Sequence, residues 1–404
     1  MLKRLTLFLV IFSLPFQLGY HLWLPETYVK SFKIDYLAPT LYLTDIFILL
    51  FLVLNYRLII STIRNFIISF PGRLLIVLII LNLWTASFSL ITVFAWLKLL
   101  EYLLLFIALK GTKDLKRMVV RPFSISLGIV ILLALTQFLS QSSLGGIFYY
   151  LGEREITPLL SNVAKINHTI PFLPSPIMRP YSTFSHPNSL AGYLLVSFVI
   201  LSLTIKKKST KFLLALVLML TFSKAAILSF VIIQVVKVSF ARSLIISILL
   251  SLAPLAKDII ALPAWLAQSF TARHYLLLPS LNMISDRWIM GVGLRRFIPA
   301  FSEILPANQI SYTTLQPVHN TFLLMLTELG ALGVIMVVLV FRTPIANLIK
   351  RKETRSYLLD LAGIILMTGS LDHYWWTLPQ NQLIIVLAFA LIARHRNELS
   401  RNHH

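Results

Sequence analysis

The hydrophobic positions of this chain fall in long, nearly unbroken runs. They show neither the alternation of a half-buried strand nor the one-sided stripe of a helix packed in a water-soluble domain. Runs of about 20 mostly apolar residues predict helices that cross a bilayer. They lie near 5–22, 39–56, 73–89, 91–109, 122–140, 189–205, 211–222, 225–241, 243–257, 320–341, 357–371 and 381–393, with 211–222 and 381–393 the shortest. The first run follows Lys3 and Arg4, as a signal peptide would, but no small-residue cleavage site comes after it. It reads as a retained anchor.

The polar positions between the runs set the orientation. Basic clusters occur at Lys3 and Arg4, at Arg57, Arg64 and Arg73, at 110–121, at 206–211, at Lys237 and Arg242, at 342–355 and at 394–401. They occupy alternate loops if the chain crosses twelve times with both termini in the cytoplasm, as the positive-inside rule requires. Separating 211–222 from 225–241 also keeps Lys224 out of the middle of one long helix. The expected architecture is an all-α, polytopic membrane domain over 1–404 with about 12 transmembrane helices. Two long outer loops are expected, at 141–188 and 258–319. Loops of that length are usually functional or disordered, and the aromatic residues and prolines among their charges argue against disorder. The chain has no convincing internal repeat, and its one low-complexity tract is 206–208.

Composition agrees with lipid as the solvent. Hydrophobic residues make up 57% of the 404 positions and charged residues 13%, against roughly 45–50% and 25% in soluble domains. The absence of cysteine excludes a disulfide scaffold. A formal charge of +21 would suggest nucleic acid in a soluble protein. Here 24 of the 36 Lys and Arg residues fall on the predicted cytoplasmic side. The excess is therefore an orientation signal with some attraction to anionic headgroups, and no nucleic-acid partner is expected.

Six histidines (His21, His168, His186, His274, His319 and His373) map to the outer side, where each could be an ordinary interfacial residue. No His-x-x-x-His pair, cysteine ligand set, Asp-x-Asp pair, Gly-rich phosphate loop or Gly-x-Ser-x-Gly elbow occurs, so neither a metal nor a cofactor is expected. The informative clusters sit where loops meet spans. The first runs from Arg179 through Ser182, Thr183, Phe184, His186 and Pro187 to Asn188, opening a helix whose free N–H groups could attract an anion. The second is the tight turn Thr221-Phe222-Ser223-Lys224. The third joins Arg273 and His274 to the stretch from Asp286 and Arg287 through Gly291-Val292-Gly293 to Arg295 and Arg296. The fourth is Pro317-Val318-His319-Asn320, leading into a helix that contains Glu328, and the fifth is Asp372-His373-Tyr374-Trp375-Trp376.

Simpler roles stand beside these. Asn188 and Asn320 could cap helices, and Arg287, Arg295 and Arg296 could face headgroups. Trp375 and Trp376 could anchor at the interface. Lys98 and Glu101, three apart in one span, could satisfy each other. Glu328 is costly inside a span unless paired, and an arginine is the expected partner.

Taken in order, the Arg…Thr-Phe-x-His-Pro-Asn cluster, the Ser-Lys turn, Gly-Val-Gly and His-Asn-x-Phe-Leu…Glu-Leu-Gly resemble the O-antigen ligase and O-antigen polymerase superfamily. The motifs cover about 175–340. The resemblance implies a helical fold like that of class C glycosyltransferases. It also implies metal-independent transfer of a glycan from an undecaprenyl-pyrophosphate carrier to a glycan or lipid acceptor, outside the bacterial cytoplasmic (inner) membrane. Carried onto this sequence, Arg179, Lys224 and Arg273 are the cations that hold the donor pyrophosphate, and His319 is the histidine that activates the acceptor hydroxyl. His186, Asn188, Asn320, Glu328, Arg287 and His373 are candidate supporting residues. Two positions depart from the family pattern: Lys224 stands where Arg is usual, and Ser182 where Gly is usual. A flippase for lipid-linked sugars would instead place its polar groups near the midplane, often in repeated halves. A purely structural membrane protein would leave the recurring Arg and His clusters unexplained.

Overall fold

The computed structural model describes residues 1–166, 175–205, 208–258 and 264–399. His168, the tract at 206–207 and the closing Asn402-His403-His404 lie outside the described residues.

Each of the twelve apolar runs contains a helix, and the protein is mainly helical. In chain order these are α1 (Leu2–Ser13), α2 (Leu43–Leu54), α3 (Tyr56–Ile68), α4 (Phe70–Thr85), α5 (Leu90–Gly111), α6 (Leu115–Ser140), α7 (Pro187–Thr204), α8 (Lys208–Leu220), α9 (Lys224–Phe230), α10 (Phe240–Leu252), α11 (Ala264–Asp286), α12 (Phe297–Ile304), α13 (Thr321–Ile349), α14 (Lys352–Gly369), α15 (Tyr374–Thr377) and α16 (Pro379–Leu399). Four of them, α5, α6, α7 and α13, are individually long and apolar enough to cross a membrane. They become five if α2 and α3, bent 84° at Asn55, count as one broken span. The remaining helices in the predicted runs are shorter or more polar, and some stop at a breaker. The first run ends as helix at Ser13, because Pro15 follows and the chain then turns into a strand.

The strands are minor. β1 (Gly19–His21) pairs antiparallel with β4 (Thr40–Tyr42), β2 (Tyr28–Val29) with β3 (Phe32–Lys33), and β5 (Lys165–Ile166) with β6 (Ile177–Met178). They lie in the segments between α1 and α2 and between α6 and α7.

α7 is the most enclosed of the four candidate spans, with 78% of its apolar window buried. It packs against α6, α8, α9, α14 and α16, and Leu190, Tyr193, Leu194 and Ile200 carry the main apolar core. By contrast, large apolar side chains such as Ile80, Leu132, Leu139 and Val338 are exposed. Exposed apolar faces on that scale fit a lipid environment.

Two features of 258–319 differ from the expected loop. α11 spans 23 residues and α12 another eight. α11 carries Gln268, Arg273, His274, Asn282 and Asp286 along its length, so its hydropathy never resembles a span, and Pro279 reads as a breaker. Packing against α12 and α13 stabilises it instead.

α13 is broken at Gly330 (φ 66°, ψ 173°), and the Gly-Val-Gly stretch runs across the break. Ala331 and Leu332 donate to the carbonyls of Trp288 (2.7 Å) and Ile289 (3.1 Å). Val292 and Gly293 donate to those of Thr327 and Glu328 (both 2.9 Å). Asn82 Nδ2 adds a bond to Glu328 O at 3.1 Å, while Asn82 Oδ1 accepts from Leu294 N and Trp96 Nε1 at 3.0 Å each. Backbone groups freed at membrane depth must find such partners. Glycine permits the approach: a Cβ on Gly330 would lie 2.2 Å from Ile289 O, and one on Gly291 would lie 2.5 Å from Gly330 N. Gly330→Ala is therefore expected to destabilise the protein by about 3 kcal/mol or more, from backbone collision and a left-handed φ together. Gly128→Ala, in α6 with open space around it, should be near neutral. Thermal unfolding of both variants in nanodiscs checks this; equal midpoints would contradict it.

Candidate active site

The segment before α7 is shaped by Gln137 of α6. Its Oε1 accepts from Tyr181 N (3.0 Å) and Ser182 N (2.6 Å), and its Nε2 donates to Ser182 O (3.1 Å). Ser182 Oγ donates to Val130 O at 3.0 Å. Ser182 has φ 53°, a left-handed conformation that glycine adopts without strain. This fits the glycine usual there in the family that the motifs resemble, and three hydrogen bonds, from Ser182 N and Oγ and to Ser182 O, hold serine in its place.

His186 begins α7, its Nδ1 accepting from Asn188 N at 3.1 Å, with Pro187 in the first turn. The cap is thus the histidine, and Asn188 is freed to link two charges. Asn188 Oδ1 accepts from Arg179 Nη2 (2.7 Å), and Asn188 Nδ2 donates to Asp372 Oδ2 (2.8 Å). Asn320 does cap its helix, accepting from Phe322 N (3.0 Å) and Leu323 N (3.1 Å). Its Nδ2 reaches Ser251 Oγ and Ser370 O, tying the start of α13 to the end of α14.

Asp372 is the hub. Besides Asn188, its carboxylate accepts from His373 N at 2.8 Å, and His319 Nδ1 lies 3.9 Å from Oδ1. The backbone carbonyl of Asp372 accepts from Thr321 N and Thr321 Oγ1, which fixes His319 against it through the first residues of α13. The His319 and His373 rings are 5.2 Å apart, and His373 Nδ1 shares a proton with Thr377 Oγ1 at 2.8 Å. Burial pushes the Asp372 carboxyl up, but His319, His373 and His186 around it prevail and hold it well below the usual carboxylate range. Burial, reinforced by Arg179, pushes His186 down to about 3; burial also pushes His373 down to about 3 against the pull of Asp372. Both are neutral near pH 7. His319 is the most open member of this group, its side chain 25% exposed, with Nδ1 buried and lacking a hydrogen bond.

The three predicted cations converge on this hub. Arg179 Nε donates to Thr221 O (2.6 Å), which joins it to the turn that carries Lys224. Arg273 Nε donates to Leu371 O (3.0 Å), next to Asp372. Burial lowers Arg179 to about 10, with Tyr181 and Asp372 opposing and Arg273 adding to the shift, so it stays cationic. The charges of Arg273 and Arg179 also bear on Lys224. Cations gathered this closely repel one another, and a bound polyanion relieves that repulsion.

The other singled-out residues lie elsewhere. Glu328 Oε2 accepts from Trp376 Nε1 (2.7 Å), Glu328 also accepts from the backbone N–H groups of Arg295 and Phe297, and Arg295 supplies the positive charge beside it. Arg295 Nη2 donates to Thr377 O (2.9 Å), so this arginine braces α15 and does not face headgroups. Trp375 is buried, donating to Thr368 Oγ1 (2.8 Å); the tryptophan pair braces the interior instead of anchoring an interface. Arg296 pairs with Glu26 at 3.6 Å, whereas Arg287 is exposed at the end of α11. Lys98 does reach Glu101 (3.3 Å), but its shorter contact is with Asp45 of α2, which spacing within α5 could not reveal.

Asp372 opens the fifth cluster in the sequence but is not among the candidate site residues, whereas His373 beside it is. Among the described residues, His319, Asp372 and His373 offer ligand atoms within 4.8 Å of one another and could hold a metal ion. His319 and the Asp372-His373 pair come from distant parts of the chain, so no ligand spacing announces them.

A helical membrane protein that gathers arginine, lysine and histidine around one buried aspartate is defined as a class by this arrangement. Residues 189–338 match the family model described as O-antigen ligase, in line with the resemblance drawn from the motifs. The matched stretch includes Lys224, Arg273, His319 and Asn320, while Arg179, His186, Asn188, Asp372 and His373 lie outside it. A search of curated proteins finds no match.

Proposed function

We propose that this protein transfers a glycan from an undecaprenyl-pyrophosphate carrier to an acceptor hydroxyl at the outer face of the bacterial cytoplasmic membrane. It crosses that membrane twelve times with both termini inside. The observation that carries the reading is the convergence of Arg179, Lys224 and Arg273 on the His319–Asp372 pair, next to the O-antigen ligase match. The cations hold the donor pyrophosphate; the arginine forks pair two oxygens at a time, and Lys224 contributes a point charge. The acceptor oxygen attacks the anomeric carbon, and the bond from that carbon to the pyrophosphate oxygen breaks. Its electron pair leaves with the pyrophosphate, where the cations stabilise the growing charge. His319 takes the hydroxyl proton, and Asp372 stabilises the resulting imidazolium. None of these steps calls for a metal ion.

A flippase would draw on the break in α13. The backbone groups freed there bond to residues 288–293, which favours a structural use of the break. The test supplies purified protein with a lipid-linked oligosaccharide and an acceptor in the presence of a chelator, and sizes the products. Transfer is expected to persist: one shifted acceptor identifies a ligase, a ladder identifies a polymerase. Activity lost in chelator and restored only by a divalent ion would overturn the metal-free reading and recast His319, Asp372 and His373 as ligands.

A further inference from the structure

A cavity of about 360 Å³ opens beside this cluster, between the segment joining α1 to α2, α5, residues 149–154 and residues 376–382. Its size falls within the range of small-molecule pockets. Arg179, Lys224, Arg273, His319 and His373 do not line it. Two residues that do line it touch His373: the Tyr36 ring stands edge-on at 5.5 Å, and Thr377 bonds Nδ1. The cavity therefore adjoins the histidines by a side that the pyrophosphate-holding cations do not occupy.

The lining mixes aromatic faces with hydroxyl, amide and charged groups. Tyr36, Tyr149 and Trp376 offer rings, and Lys98, Ser185 and Arg295 are among the polar members. Lys98 is balanced by Asp45 and Glu101, Arg295 stands beside Glu328, and Arg154 shares the lining with Asp35 and Glu153, so cations and acids offset one another and the cavity is no anion trap. An apolar wall with a few convergent polar groups selects a ligand that is amphipathic on the same scale. A sugar ring is such a ligand, since its C–H faces stack on aromatics and its hydroxyl edges bond polar groups. We infer that this cavity seats a neutral saccharide portion of the acceptor, from which the reacting hydroxyl extends past the Tyr36–His373 contact to His319. This rests on the glycan-transfer reading for the word acceptor, but the saccharide site itself can be tested without transfer.

The chain has no cysteine, so single cysteines report cleanly. Ser185→Cys and Tyr149→Cys place thiols on the cavity wall, and Ile147→Cys places one on the same loop as Tyr149 but outside the lining. The full-length variants, in nanodiscs free of glycoside detergent, are labelled with a maleimide in the presence of lactose, N,N′-diacetylchitobiose or inorganic pyrophosphate. A disaccharide should slow labelling at positions 185 and 149 about threefold at about twice its Kd, leaving position 147 unchanged. Pyrophosphate should protect neither wall position. No slowing by either disaccharide up to about 100 mM overturns the saccharide seat. Protection of positions 185 and 149 by pyrophosphate overturns the acceptor assignment and gives the cavity to the donor. Disaccharide protection in a protein that transfers nothing would uphold the site and sink the transferase reading instead.

Discussion

His319→Ala is expected to lower glycan transfer by about 10²–10⁴-fold, the usual worth of a positioned base. The variant should retain its fold, because the described side-chain contacts of His319 are the 3.9 Å approach to Asp372 and a ring contact with His373. The helix start beside it is secured independently by Asn320 and Thr321. Donor affinity should change little if, as proposed, Arg179, Lys224 and Arg273 hold the pyrophosphate. Single-turnover transfer with purified protein, alongside donor binding and thermal unfolding, separates these effects. Wild-type transfer by the variant would remove His319 from the chemistry.

Arg179→Ala and Arg273→Ala should weaken binding of the lipid-pyrophosphate donor and slow transfer by about 10²–10³-fold, as expected for lost charge stabilisation of a leaving group. Arg179→Lys should recover little, because this guanidinium bonds Thr221 O and Asn188 Oδ1 at once and an ammonium lacks that planar fork. Unchanged donor affinity in both alanine variants would show that the cations are structural.

The two outcomes together separate binding from chemistry. A loss confined to kcat in His319→Ala and a rise in donor KM in the arginine variants would assign the two halves of the cluster to different tasks. Asn188 bridges the halves, bonding Arg179 on one side and Asp372 on the other.

Much of this protein was legible before any coordinates, because lipid imposes a one-dimensional rule. A span must be apolar and helical along its own length, so each of the twelve apolar runs contains a helix, though only four or five are long and apolar enough to cross a membrane. The motif residues were legible for a related reason: Arg179, Lys224 and His319 each sit near the end of a segment, where a polar side chain is noticed against an apolar run, whereas Arg273 lies midway along α11. Glu328 stood out in the same way, and the structure sets it beside Arg295.

What stayed hidden depends on partners far apart in the chain. Asp372 became the hub because the turn between α14 and α15 meets the starts of α7 and α13. Lys98 took Asp45 from another helix as its closest partner. α11 was invisible to hydropathy because packing against protein, with no need to satisfy lipid, permits a mixed surface. The glycines at 291, 293 and 330 read as a motif, but their reason is a backbone crossing. The sequence by itself determined a helical membrane protein and the residue types available for chemistry, since solvation acts on each segment separately. Only the tertiary structure decided which charges meet, which asparagine caps and which bridges, and where a cavity lies beside the histidines. Those outcomes depend on distances between segments, which no local pattern encodes.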